Sequence, residues 1–168
     1  MSKKQQRTSL ARRKLSRHKS ALKSLNLPKK PGPNWGNQME KLLETAKNRR
    51  PIETQKGIIL TGTYAFTKLV IDEKKLTRVC KETQRRGFSK TQTVSVMKRN
   101  PFQLCMNYLC HKGSRKVDPK LQHKWARLLH YAYLHHVKAE DLLGFLYQEG
   151  SYERINKRYK KLIAARSD

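Results

Sequence analysis

Apolar residues in the C-terminal half of the chain recur every three or four positions, which is the period of an amphipathic helix. Four such stripes follow one another, separated by helix-start and helix-stop residues such as Pro101, Asp118-Pro119 and Gly150. Their members are Phe102, Cys105, Met106, Leu109 and Cys110; Leu121, Trp125, Leu128, Leu129, Ala132 and His136; Leu142, Phe145 and Leu146; and Tyr152, Ile155, Tyr159, Leu162 and Ile163. Four helices with short connections predict a mainly α fold, a small helical bundle.

The segment from Ile58 to Ile71 differs, because β-branched and aromatic residues dominate it. Its Gly62-Thr63 pair suits a two-residue type II′ turn, so the pattern predicts a short β-hairpin here. A helical period returns after Asp72, with one face at Leu76, Val79, Cys80 and Thr83. Upstream, a short helix that ends before Pro51 is predicted by Met39, Leu42, Leu43 and Ala46.

Charge changes this picture, because the chain of 168 residues carries 39 Lys and Arg but only 12 Asp and Glu. A formal charge of +27 repels itself within a compact fold, so something outside the chain must neutralise it. A phosphate backbone is the best such partner, since each Lys or Arg contact with it releases condensed counterions. The composition therefore predicts a nucleic-acid partner.

The N-terminal part of the chain is set apart by its charge and by its prolines. Residues 1 to 39 contain eleven Lys or Arg and no acid, and Pro28, Pro31, Gly32 and Pro33 interrupt any helix there. We expect a basic arm and Pro/Gly linker over residues 1–36 and a helical nucleic-acid-binding domain over residues 37–168. The candidate phosphate contacts of the arm are Arg12, Arg13, Lys14 and Arg17.

Several classes of protein are disfavoured by the same composition. Apolar runs of three to five residues are far shorter than a membrane span, and no secretory apolar region follows the basic N-terminus. Three cysteines are too few for a disulfide framework. We expect an intracellular protein, located in the cytoplasm or nucleoid of a bacterium, or in the nucleus or mitochondrion of a eukaryote.

The segment from Val79 to Asn100 is the strongest candidate for sequence reading. A helix ending in Arg85-Arg86 meets Gly87, which suits a tight turn, and Ser89 with Gln92 forms a capping box that opens a second helix. This layout predicts a helix-turn-helix, in which the second helix enters the major groove of DNA by its first turn. The predicted base-facing residues are Lys90, Thr91, Gln92 and Ser95, and the predicted phosphate contacts are Arg85, Arg86, Lys98 and Arg99.

The stretch GFSKTQTVSVMKR resembles the turn and recognition helix of helix-turn-helix repressors over about twenty residues. It departs from their pattern at Thr83, which stands where a small alanine is usual, and in a Thr-Val pair one residue late relative to Gly87. The resemblance implies DNA binding. The alternatives are an ordinary helix–loop–helix edge or an exposed strand, because β-forming residues occur at Thr91, Thr93, Val94 and Val96.

A second candidate surface lies on the last predicted helix. Arg154, Lys157, Arg158 and Lys161 form a continuous basic face opposite its apolar stripe. Such a face can follow a phosphate backbone without reading sequence, although a solvated outer face is the alternative. A further stripe, at His123, Arg127, His130 and Leu134, suits either a polar seam between helices or contact with RNA or phosphate.

Catalytic and metal signatures are weak. Cys80, Cys105, Cys110 and His111 lack the paired two-residue knuckles of structural zinc sites. Neither a phosphate-binding glycine loop nor a histidine metal pair occurs. The carboxylate pairs Asp72-Glu73 and Glu140-Asp141 suit the first turns of helices. We therefore expect no enzyme, no metal and no cofactor, with a metal-dependent nuclease as the remaining enzymatic alternative.

These observations together predict a non-catalytic nucleic-acid-binding protein with a regulatory or accessory role, in which DNA is favoured over RNA. An RNA-binding or ribonucleoprotein assembly factor is the first alternative, because an acid-free arm and many tyrosines suit contacts with RNA. A basic interaction protein that contacts an acidic protein or a membrane surface is the second.

Overall fold

The computed structural model describes residues 52–110 and 117–166. Across these two ranges the fold consists of seven α-helices and one short 3-10 turn, without strands. The helices are α1 (Ile52–Asp72), α2 (Leu76–Arg85), α3 (Lys90–Arg99), α4 (Pro101–Leu109), α5 (Pro119–Leu134), α6 (Leu142–Glu149) and α7 (Tyr152–Ala164), with the 3-10 turn Ala139–Asp141 directly before α6. The predicted mainly α bundle is confirmed for this part of the chain. The predicted arm and linker over residues 1–36, and the helix predicted from Met39 to Ala46, lie outside the described residues.

The β-hairpin predicted over Ile58 to Ile71 is wrong, because this stretch belongs to the 21-residue helix α1. Helix α1 packs against α4, α5, α6 and the 3-10 turn, and most of its side chains between Ile58 and Val70 are buried. Between Ile58 and Tyr64 the helix is buried on all sides, so no stripe of polar residues marks this part of it in the sequence. The buried hydroxyl of Thr67 donates to the carbonyl oxygen of Thr63 at 2.7 Å. Tertiary packing thus overrides the strand propensity of these residues.

The core is centred on α4, which contacts α1, α2, α3 and α5. The ring of Tyr64 stacks on Phe102 with 5.5 Å between centroids, and Phe66 stacks on Tyr108 at 6.1 Å. The Tyr64 hydroxyl donates to the carbonyl oxygen of Val137, 73 residues further along the chain, at 2.7 Å. Helix α1 therefore joins the first half of the fold to the segment that follows α5.

The C-terminal helices begin where the sequence predicts. The Asp118 carboxylate accepts from the backbone N–H of Leu121 at 3.1 Å, and the Ser151 hydroxyl accepts from that of Arg154 at 3.3 Å. Two members of the predicted second stripe depart from it. Leu121 is 37% exposed, and His136 lies beyond the end of α5 with a φ of 54°.

Acidic residues lie at helix ends, although not always at the predicted end. Asp118 starts α5, and Glu140 and Asp141 lie in the 3-10 turn that leads into α6. The expectation for Asp72-Glu73 is wrong, because Asp72 is the last residue of α1 and Glu73 lies in the turn after it. Carboxylates at that end do not stabilise the helix dipole of α1.

Helices α5 and α7 run parallel, because contacts between them advance together along both helices. Arg127 donates to the Asn156 side-chain oxygen at 3.1 Å, and one turn later His130 Nδ1 lies 2.9 Å from the hydroxyl of Tyr159. Arg127 and His130 thus take part in a polar seam between helices, which was one of the two interpretations of their stripe.

Candidate nucleic-acid interface

The connection between α2 and α3 is a short turn over residues 86–89. Gly87 adopts a φ of +96°, which L side chains rarely adopt, and its N–H donates to the carbonyl oxygen of Gln84 at 2.9 Å. Thr83, which departs from the repressor pattern, is fully buried and donates to the carbonyl oxygen of Val79 at 2.7 Å. The threonine is therefore accommodated by a hydrogen bond within its own helix.

The start of α3 is held by Thr93 rather than by the predicted capping box. Ser89 occupies the N-cap position, but its side chain makes no capping hydrogen bond, so that part of the prediction is wrong. The hydroxyl of Thr93 is buried and lies 3.0 Å from the carbonyl oxygens of both Ser89 and Lys90. The same hydroxyl accepts from the side-chain amide of Gln84 at 2.9 Å, which ties α3 to α2.

Helix α3 is confirmed where a strand was the alternative, and it presents polar side chains at both ends. Lys90, Thr91 and Gln92 are exposed on its first turn, and Lys98 and Arg99 are exposed on its last. Of its other residues, Thr93 is buried, Val94, Val96 and Met97 pack against the core, and Ser95 is half-buried. The helix thus offers one polar and basic surface while its other side anchors it to α2 and α4.

The two arginines at the end of α2 differ in their surroundings. Arg85 is exposed and forms an ion pair with Glu82 at 2.6 Å. Arg86 is half-buried, and its guanidinium lies over the ring of Tyr108 in α4. Arg85 keeps its charge at the surface, whereas the contacts of Arg86 give it a structural role at the turn.

A groove lies beside α3, where that helix meets α4 and the start of α5. Three of the four residues predicted to face bases, Thr91, Gln92 and Ser95, line it together with Arg99. Four more polar residues complete the lining, Gln103, Asn107, Gln122 and His123. The sequence indicated only His123 among them, as part of a polar stripe. For Gln103 the one signal in the sequence is a polar residue between two apolar ones, Phe102 and Leu104. Both of these are fully buried in the structure.

Gln122 holds the base of the groove together. Its side-chain amide donates to the carbonyl oxygen of Cys110 at 3.1 Å and to that of Val117 at 2.7 Å. The backbone N–H of Val117 also donates to the carbonyl oxygen of Cys110 at 3.3 Å. The end of α4 and the start of α5 are therefore fixed beside each other.

The cations of the predicted basic face on α7 are all exposed. Arg154, Lys157 and Lys161 lie on the outer side of the helix, while Ile155 is buried beneath. Arg158 differs from them, because it is paired with the carboxylate of Glu149. The arm cations Arg12, Arg13, Lys14 and Arg17 lie outside the described residues.

Burial lowers the pKa of His130 to about 4, to which the nearby charge of Arg166 also contributes. The imidazole is therefore neutral at physiological pH. Burial raises the pKa of the Cys105 thiol to about 12, so this sulfur carries no charge with which to bind a metal or attack a substrate.

The side chains of the described ranges form no group of three or more His, Cys, Asp or Glu that is suited to a metal ion. Within those ranges, no helix is long and apolar enough to cross a membrane. Comparison of the chain with protein-family models, with curated proteins and with solved structures gave no match.

Proposed function

We propose that this chain is a non-catalytic nucleic-acid-binding protein that contacts DNA through α2 and α3, in a regulatory or accessory role. One observation carries the proposal: Lys90, Thr91 and Gln92 are exposed on the first turn of α3, directly after a short turn from α2. Helix-turn-helix proteins place the side chains that reach base edges at this position.

The rest of the affinity comes from phosphate contacts. Lys98 and Arg99 at the end of α3 and the exposed cations of α7 supply positive charge without base specificity. The basic N-terminal segment adds to a formal charge of +27. Binding through these groups releases counterions, so affinity falls steeply as salt rises.

The same charges are also suited to structured RNA. The experiment must therefore distinguish binding to DNA from binding to RNA. We propose titrating the full chain with double-stranded DNA, single-stranded DNA and structured RNA of matched length, each at several salt concentrations. A steep negative salt slope with preference for duplex DNA supports the proposal. Preference for RNA at an equal slope supports the ribonucleoprotein alternative instead.

A flat slope, or no binding at physiological salt, contradicts both and favours a basic protein that contacts an acidic protein or membrane. Two substitutions test the role of α3. Lys90→Ala and Gln92→Ala should each relax sequence preference, and Lys90→Ala should also reduce the salt slope by about one because it removes a charge. Gln148→Ala, at an exposed position of α6, is the matched control. If both α3 variants leave sequence preference untouched, α3 is not the reading helix.

A further inference from the structure

The groove beside α3 has a volume of about 570 Å³. Ligand sites in proteins usually range from about 300 to 1,000 Å³, so it has room for a small ligand or for one nucleotide of a longer chain. Phe88, Val96 and Pro119 supply apolar surface on its sides. The surface therefore combines apolar walls with several polar groups at fixed positions.

The amide of Gln103 lines this groove and is not fully satisfied. The residue is 5% exposed, and its Nε2 donates to the Asn107 side-chain oxygen at 2.7 Å. Its Oε1 is buried and accepts no hydrogen bond. A buried acceptor without a donor destabilises a fold, so a ligand that brings an N–H group to this oxygen, once the amide of Gln103 turns towards the groove, recovers the loss.

The neighbouring groups extend this acceptor into a recognition pattern. Gln103 and Asn107 are four residues apart on α4 and lie on one face of the helix. The side-chain oxygen of Asn107 already accepts from Gln103. The group that Asn107 offers to a ligand is therefore its side-chain NH2, which is a donor. An acceptor beside a donor matches the edge of a nucleobase, which offers an amino or imino N–H next to a ring nitrogen or carbonyl.

We propose that the groove binds a single unpaired nucleobase, held by Gln103 and Asn107, in the nucleic acid that α3 contacts. This inference rests on the proposed nucleic-acid binding. Gln103 and Asn107 line a concave groove, and a base that is stacked and paired within a duplex cannot enter it. Exposed Arg99 also lines the groove, where its guanidinium can bind the phosphate beside the unpaired base.

The test compares three DNA duplexes that share one sequence. The first is fully paired, the second carries one unpaired nucleotide as a bulge, and the third carries an abasic bulge at the same place. The abasic bulge keeps the bend and the phosphate charge but removes the base. The wild-type chain should bind the base-containing bulge about tenfold more tightly than the abasic one.

Gln103→Met and Asn107→Ala should each bring that preference close to one, while affinity for the fully paired duplex stays unchanged. Gln148→Met is the matched control and should keep the full preference. Two variants are used so that the result stands if one of them folds poorly, which circular dichroism and urea unfolding detect.

Two results would overturn the inference while leaving the proposed function intact. The first is equal wild-type affinity for the two bulges, and the second is a preference that survives in both groove variants. Failure of the wild-type chain to bind any of the three duplexes at low salt would instead contradict duplex-DNA binding, and the inference would fail with it.

Discussion

The guanidinium of Arg86 lies 3.9 Å from the centroid of the Tyr108 ring and donates to the carbonyl oxygen of the same tyrosine at 2.8 Å. These two contacts attach the turn between α2 and α3 to the end of α4. The neighbouring Arg85 instead pairs with Glu82 at the surface. Two adjacent arginines thus carry the same charge in different roles.

Substitution of Arg86 should affect stability rather than binding charge. Arg86→Ala should lower the free energy of unfolding by about 2 kcal/mol, because it removes a cation–π contact and a charge-assisted hydrogen bond. The salt slope of nucleic-acid binding should not change. Arg85→Ala is the matched control and should reduce the slope by about one with little loss of stability. Urea unfolding and salt-dependent binding measure the two effects, and a reduced slope for Arg86→Ala would assign that charge to phosphate.

Stability should fall in acid because of His130. Its pKa is lowered to about 4 in the fold from an ordinary value of 6.5, so the unfolded chain takes up a proton at a higher pH than the folded chain. The contribution is complete above pH 6.5 and is lost as pH falls towards 4, over which range it amounts to about 3 kcal/mol at most. His130→Gln should flatten the pH dependence of the urea midpoint. His123→Gln, at an exposed position, should not flatten it.

Substitutions of the cations on α7 should have two kinds of effect, one on binding alone and one on both binding and stability. Lys157→Ala and Lys161→Ala should each reduce the salt slope by about one and leave sequence preference unchanged, since both ammonium groups are exposed. Arg158→Ala should also lower the urea midpoint, because Arg158 pairs with Glu149, which accepts from Tyr131 at 3.1 Å. Equal slopes for wild type and both lysine variants would show that this face does not contact nucleic acid.

The hydrogen bond between Gln84 and Thr93 should be measurable as a coupling energy. Thr93→Val keeps the volume of the side chain but removes the hydroxyl that accepts from Gln84. It should cost about 1–2 kcal/mol, because buried polar groups lose their partner. A double-mutant cycle with Gln84→Met should give a coupling of about 1 kcal/mol. Additive effects of the two substitutions would contradict a direct link between α2 and α3.

The sequence predicts those helices that have one buried face. Phe102, Cys105 and Met106 follow the helical period and are fully buried in α4, and Ile155 does the same in α7. Helix α1 could not be predicted in this way. Every residue from Ile58 to Tyr64 is buried, so this part of the helix has no polar side to define a period. Residue-type preference then points to a strand, and only the surrounding helices decide otherwise.

The candidate nucleic-acid interface is likewise predictable from the sequence only in part. The polar first turn of α3 follows from local signals around Gly87 and Ser89. The role of Arg86 depends on Tyr108, which lies 22 residues further along the chain. The groove depends on Gln103 and Gln122 coming together from two helices. Such arrangements depend on tertiary packing, which the spacing of residues along one helix does not reveal.

The hydrogen bond from Tyr64 to Val137 has a consequence for how the molecule assembles. Helices α2, α3 and α4 contact one another in succession, as do α5 and α7 across the short α6, so each set closes only short loops. The Tyr64 contact spans 73 residues and requires a larger loss of chain entropy. Since local contacts form faster than distant ones, we expect the docking of α1 to be the late step of folding. Helix α1 would then be the last of these helices to reach its place.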